Sequence, residues 1–255
     1  PFGMRAMMSL RLDRFFGSWL AEFSPDYTPA ETGLDRFISF SKNADFIGRA
    51  EAEFAGFADL SELPTGLPER IGAALAACEA QLKSLGAVFE RKEPIDGPGA
   101  CGMSASYQVS EIVRGIELGP DTKMRCTTAL ATARWIDEVV IPAARVLGDD
   151  VRLTGIRQAS TYACRTRNSQ ANTKMSEHAK GNAIDVGKIT LNNGQAIAVR
   201  KPGFFSFREK SLLKTIRHDS CKYFTTVLGP GSDIHHKDHF HFDLRTRKAG
   251  YRHCD

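Results

Sequence analysis

All seven histidines of the 255-residue chain lie after residue 177, and four of them, His235, His236, His239 and His241, crowd into one short span. Imidazole is a common metal ligand and titrates near neutral pH, so this crowding points to metal binding or acid–base chemistry. In an extended segment successive side chains face opposite sides. Within Asp238-His239-Phe240-His241-Phe242-Asp243, that alternation puts His239, His241 and Asp243 on one face and Phe240 and Phe242 on the other. The rings of phenylalanine are expected in a core and the imidazoles in a polar cleft.

Well upstream, Ser176-Glu177-His178-Ala179-Lys180-Gly181-Asn182-Ala183-Ile184-Asp185-Val186 places a carboxylate, Asp185, inside an apolar strand pattern. Burying a carboxylate is costly unless a cation or a close cationic partner relieves it. Imidazole nitrogen and carboxylate oxygen suit Zn²⁺, and a catalytic zinc keeps three protein ligands with a fourth position for water. His178, Asp185 and His241 supply that set. An H-x-H pair or a buried Asp has ordinary structural explanations when met alone. Together they specify a site.

The pattern Ser176-x-His178-x-x-Gly181-x-Ala183-x-Asp185, followed by His239-x-His241, resembles the zinc-peptidase superfamily of the D-Ala-D-Ala carboxypeptidases, the lysostaphin-type peptidases and the hedgehog signalling domain. Within it the chain is most similar to the bacterial extensin-like C-terminal domain family. The residues behind this narrower resemblance are Tyr162-Ala163-Cys164-Arg165, Ser176 to Val186, Val227-Leu228-Gly229-Pro230-Gly231, His236 to Asp243, and the spacing of the six cysteines. It covers roughly residues 70 to 255 and leaves residues 1 to 60 outside.

The resemblance implies an α+β fold: a small antiparallel sheet carrying one zinc ion in its groove, flanked by helices. It implies that His178, Asp185 and His241 bind the zinc and that His239 acts beside it, either taking a proton from water or stabilising the oxyanion. His236 matches another active-site histidine of murein peptidases, and Arg165 a substrate-contacting arginine, with Arg167 as competitor; Ser176 joins Arg165 in binding substrate. Asp243 and Glu177 are candidates to orient a ligating imidazole. Where some superfamily members carry a Glu base, this chain has Asp238, which strand parity turns away from His239. The expected activity is hydrolysis of amide bonds in peptidoglycan peptide stems or cross-links, by an endopeptidase or a carboxypeptidase. A noncatalytic zinc domain that binds wall material or a partner is the alternative.

The elements that must position these groups change character along the chain. Residues 1–65 read as a helical extension of unknown role. The domain proper, 66–255, reads as a helical part, 66–150, and a metal-binding sheet, 151–255. Ala and Leu make 69–85 a helix closed by Gly86, and a second helix is expected over 127–147, ended or kinked by Pro142. Strands are expected over 151–156, 183–191, 196–199, 225–228 and 238–244, with a helix over 206–224. Asn192-Asn193-Gly194 predicts a hairpin with a primed turn between the second and third strands.

Composition sets the outer limits. With 42% hydrophobic and 25% charged residues the chain is that of an ordinary folded protein, not a disordered or fibrous one. No apolar run approaches the roughly 18 residues of a membrane span. Residues 1–150 hold 15 basic and 22 acidic side chains and the remainder 19 and 8, so the halves carry −7 and +11. A basic C-terminal half suits an anionic polymer such as cell wall. Nucleic acid is not expected as a partner, because neither an acidic two-metal cluster nor an aromatic single-strand platform is present. Six dispersed cysteines favour disulfides and a periplasmic or extracellular setting, although no signal peptide is visible at the start. Of the 15 possible connectivities, Cys78–Cys101 across the Pro/Gly loop is the one pair expected.

Overall fold

The computed structural model describes residues 67–255 apart from 172, 201–206 and 248–249. The expected helical extension at 1–65 lies outside the described residues. Helix α1 (Leu67–Ser84) ends on Gly86 at φ +81°, with Gly86 N–H bonded to the Lys83 carbonyl and Ala87 N–H to that of Leu82. This paired closure requires the left-handed backbone that glycine adopts at least cost.

Residues 66–150, expected to be helical, hold five strands as well as helices: β1 (Val88–Lys92), β2 (Ile95–Asp96), β3 (Gly102–Met103), β4 (Ser106–Val113) and β5 (Ile116–Gly119). Strand β4 buries Tyr107, Val109 and Ile112 while Gln108 and Ser110 face solvent. Helix α2 (Cys126–Trp135) does not stop at Pro142. It continues through a π turn over Ile136–Val140, four further α residues (Ile141–Ala144) and a 3-10 turn over Arg145–Leu147. The wide turn accommodates a proline that can neither donate a hydrogen bond nor pack against the preceding carbonyl. Beyond it come β6 (Leu153–Ser160), β7 (Ala183–Leu191), β8 (Ala196–Ala198), α3 (Phe207–Ser220), β9 (Thr226–Leu228), β10 (Phe240–Asp243) and β11 (His253–Cys254).

The fold is α+β, but the sheet is neither small nor purely antiparallel. Nine strands run in the order β1-β4-β5-β6-β7-β10-β9-β11, with β8 also on β7; β5/β6 and β9/β11 are parallel pairs, while β2 and β3 form a separate ribbon. The hairpin between β7 and β8 forms as expected, but only Gly194 has positive φ, at +81°. Its N–H closes the turn on Leu191, whereas a primed turn would need Asn193 left-handed as well.

Helices and sheet meet at Trp135, fully buried edge-on to Phe242 at 5.2 Å, with its indole N–H donating to the Ile216 carbonyl at 2.9 Å. Phe240 and Phe242 lie stacked in this core. The alternation read for β10 therefore holds, and its odd-numbered residues are left to face the other way. Among the described residues no helix is long and apolar enough to cross a membrane.

All six cysteines pair, but Cys78 does not join Cys101. The bridges are Cys78–Cys126, Cys101–Cys164 and Cys221–Cys254. Cys78 is buried against the first residue of α2, while the Pro/Gly loop carries Cys101 onto the Tyr162–Cys164 segment. Sequence proximity across a loop is thus overridden by packing. Three bridges are compatible with an extracellular or periplasmic location. Each is worth about 2–4 kcal/mol by loop closure, and in a domain of this size each kcal/mol moves Tm by about 2–4 °C. Replacing Cys221 and Cys254 together by serine should therefore lower Tm by roughly 5–15 °C in calorimetry; an unchanged Tm would contradict a stabilising bridge there.

Candidate metal centre

Two of the three expected ligands are placed by strand register alone. β10 pairs antiparallel with β7 so that His241 lies directly opposite Asp185. The third, His178, stands on a 3-10 turn over Glu177–Lys180. Ser176 caps that turn by accepting the His178 N–H at 3.3 Å, and Gly181 ends it at φ +65°. A Cβ at Gly181 would also push on the Met103 side-chain end at 2.6 Å, but it is the left-handed backbone that favours glycine here. The Gly181 carbonyl accepts from Arg125 N–H and the Thr128 hydroxyl, which fastens the turn to the start of α2.

The result is a tight triangle of atoms. His178 Nε2 lies 3.1 Å from Asp185 Oδ1, His241 Nδ1 lies 2.9 Å from the same oxygen, and the two nitrogens are 3.2 Å apart. The outward nitrogens are engaged: His178 Nδ1 donates to the Thr161 carbonyl at 2.5 Å and His241 Nε2 to Asp243 Oδ2 at 3.1 Å. With their protons committed outward, both rings turn lone pairs inward onto a carboxylate oxygen. With both rings neutral, three acceptors then converge with no donor among them, a set that either an added proton or a metal cation satisfies. Ligands around a tetrahedral zinc at about 2.1 Å stand roughly 3.4 Å from one another, close to the separations here. The donor set thus fits the metal that the sequence reading assigned to it.

Charge and burial reinforce the arrangement. Burial raises Asp185, but hydrogen bonds from His178 and His241 outweigh it and hold the carboxyl far below the usual range. Burial lowers His241, yet Asp185 and Asp243 overcome it and bring the ring to about 9. Protons and metal therefore compete for the same atoms.

The other expected residues fall into distinct places. His239 Nε2 lies 3.8 Å from Asp185 Oδ1, at the edge of the triangle, and its Nδ1 donates to Asp238 Oδ1 at 3.0 Å. Strand parity fails for Asp238 because β10 begins only at Phe240; the carboxylate contacts His239 rather than turning away. His236 is buried beside both rings, 5.3 Å from His239 and 5.5 Å from His241 between centroids. Burial lowers its pKa against the pull of Asp233, to which its Nδ1 donates at 2.7 Å. Arg165 reaches Asp185 Oδ2 at 3.7 Å. Glu177 orients no ligand: it accepts from Asn182 Nδ2 at 2.8 Å and pairs with Lys180.

These groups line an open groove of about 440 Å³. A second cavity, about 590 Å³, lies elsewhere against α3, and among the described residues it holds no cluster of metal-ligating side chains. Thr161, Asp233, Arg245 and Arg247 were not singled out from sequence. The Thr161 contact is a backbone carbonyl, which side-chain chemistry does not reveal. The two arginines were legible, because the polar positions 239, 241 and 243 continue in step to 245 and 247.

A family model described as extensin-like protein C-terminus matches residues 76–255. The chain belongs to this family. Mitochondrial dimethylglycine dehydrogenases are also similar over a short stretch: those of Homo sapiens and Rattus norvegicus are 46% identical over 48 residues, and that of Mus musculus 44%. The stretch is 19% of this chain and 6% of each relative, so the chain matches only a small fraction of these curated proteins. No solved structure matches the chain.

Metal analysis tests the centre directly. Zinc-loaded protein should hold one zinc per chain, His178→Ala should lose it, and His239→Ala should retain it. In the metal-free protein, the raised His241 pKa stabilises the fold below about pH 6.5, and that contribution fades as pH rises towards 9. Zinc binding runs the other way, since its ligands must be deprotonated. The gap in Tm between zinc-loaded and chelated protein should therefore widen from pH 6 to pH 9, and a constant gap would show that metal and protons do not share the site.

Proposed function

We propose that the protein is a zinc-dependent peptidase acting on amide bonds in bacterial peptidoglycan peptides, in the stems or in the cross-links. The observation that carries this reading is the convergence of His178, Asp185 and His241, with His239 beside the triangle instead of closing it as a fourth ligand. A structural zinc site uses four protein ligands, while a catalytic one leaves a position open. Membership of the extensin-like family and the resemblance to the wider zinc-peptidase superfamily support the same reading.

When bound, zinc would polarise a scissile carbonyl and bring the pKa of a water towards about 7. The chain supplies the rest. Asp238 accepts the Nδ1 proton of His239, which leaves Nε2 directed towards the triangle as the basic nitrogen. His239 thus takes the proton of an attacking water and returns it to the leaving amine. His236, fixed by Asp233, stands behind it as a second proton-handling group. Arg165 offers charge-assisted hydrogen bonds to the developing oxyanion or to a peptide carboxylate.

Digestion of purified peptidoglycan, read by mass spectrometry, tests this function. Zinc-loaded protein should release cleaved stem or cross-link peptides, chelated protein none, and His239→Ala should be slower by about 10²–10⁴ while keeping its zinc. A zinc-loaded protein that cleaves no muropeptide would instead support a noncatalytic wall- or partner-binding domain.

A further inference from the structure

The polar face that begins at His239 does not end with the metal centre. Just past β10, Leu244 packs on the core and its N–H bonds to the Asn182 carbonyl. Arg245 and Arg247 line the same groove as His241 and Asp243. Arg167 reaches that groove from the short turn over Arg167–Ser169.

The cations and anions of the groove are unequally matched. Arg165 faces Asp185, and Arg247 donates to the Thr225 carbonyl at 2.8 Å and the Thr226 hydroxyl at 2.6 Å. The acids have donors of their own: Asp233 accepts from His236, Asp243 from His241 and Arg245 N–H, and Glu177 from Asn182. Arg167 and Arg245 differ, since neither guanidinium makes a hydrogen bond or an ion pair among the described residues. They also oppose one another: burial first, and Arg245 next, lowers the pKa of Arg167, against the weaker pull of Glu177 and Asp243. Two guanidinium groups held in one groove, with the nearby Glu177 and Asp243 hydrogen-bonded to other donors, keep their own donors for an anion from outside.

We infer that Arg167 and Arg245 form a second anion subsite, which selects peptides bearing a free carboxylate away from the bond that is cut. This rests on the peptidase reading of the metal centre. Four residues separate His241 from Arg245, a span of at most about 13 Å, which long arginine side chains shorten. The selected carboxylate therefore sits about two to four residues from the scissile amide of an extended peptide. It is distinct from any group that Arg165 holds next to Asp185.

The test uses two synthetic stem peptides that differ only in whether the distal carboxylate is free or amidated. Zinc-loaded wild type should prefer the free acid by at least about tenfold in kcat/KM, the worth of one charge-assisted hydrogen bond. In Arg167→Gln and Arg245→Gln the ratio should fall towards one, and Arg245→Lys should recover part of it. Equal use of both peptides by the wild type would overturn the inference, as would a preference that survives in both glutamine variants. If the wild type cleaves neither peptide, the peptidase reading fails by itself. Calorimetric binding of the same two peptides then decides the subsite: tighter binding of the free acid supports it, and equal binding refutes it.

Discussion

Two imidazole nitrogens and one carboxylate oxygen are pressed to about 3 Å from one another while the protons of both rings are held on the outside. Like acceptors at that distance repel unless something positive lies among them, whether a proton or a metal ion. Much of the surrounding structure can be understood as holding this unfavourable cluster together. The Thr161 carbonyl and Asp243 anchor the outer edges of the rings, and the Thr226 hydroxyl with Arg245 N–H anchors Asp243 in turn. Such outer partners fix which nitrogen faces inward, and that choice separates a ligand set from a chance group of polar residues.

The scaffold resists the repulsion because its ligands sit on different kinds of support. Asp185 and His241 are cross-strand neighbours in the middle of a nine-stranded sheet, backed by the Trp135, Phe224 and Phe242 cluster. His178 is on a short turn, which by itself would be the weakest of the three supports. It is fastened through Gly181 to α2, and the Cys101–Cys164 bridge restrains the segment that carries Thr161 and Arg165. Placing a buried ion pair or metal site on rigid elements limits the motion by which the groups could relax apart.

The groove brings the candidate ligands and a set of arginines together. His241 and Asp243 come from β10 itself, His239 from just before it and Arg245 and Arg247 from just after it. A groove lined by several arginines favours an anion electrostatically.

How much was legible in advance depended on whether a feature is local. Alternation across Phe240–Asp243, the apolar run around Asp185 and the helical stretches of α1 and α3 are properties of neighbouring residues and could be read without the fold. Cysteine pairing, the size and mixed direction of the sheet, the strands within 88–119 and the position of Asp238 were decided by tertiary structure. Each depends on which distant segment lies alongside, and packing a buried face outweighs both sequence proximity and local preference. The centre itself combines the two kinds of information. Its ligands could be named from residue type and spacing, but only the register of β7 against β10, and the docking of the His178 turn on α2, could bring their atoms within reach of one ion.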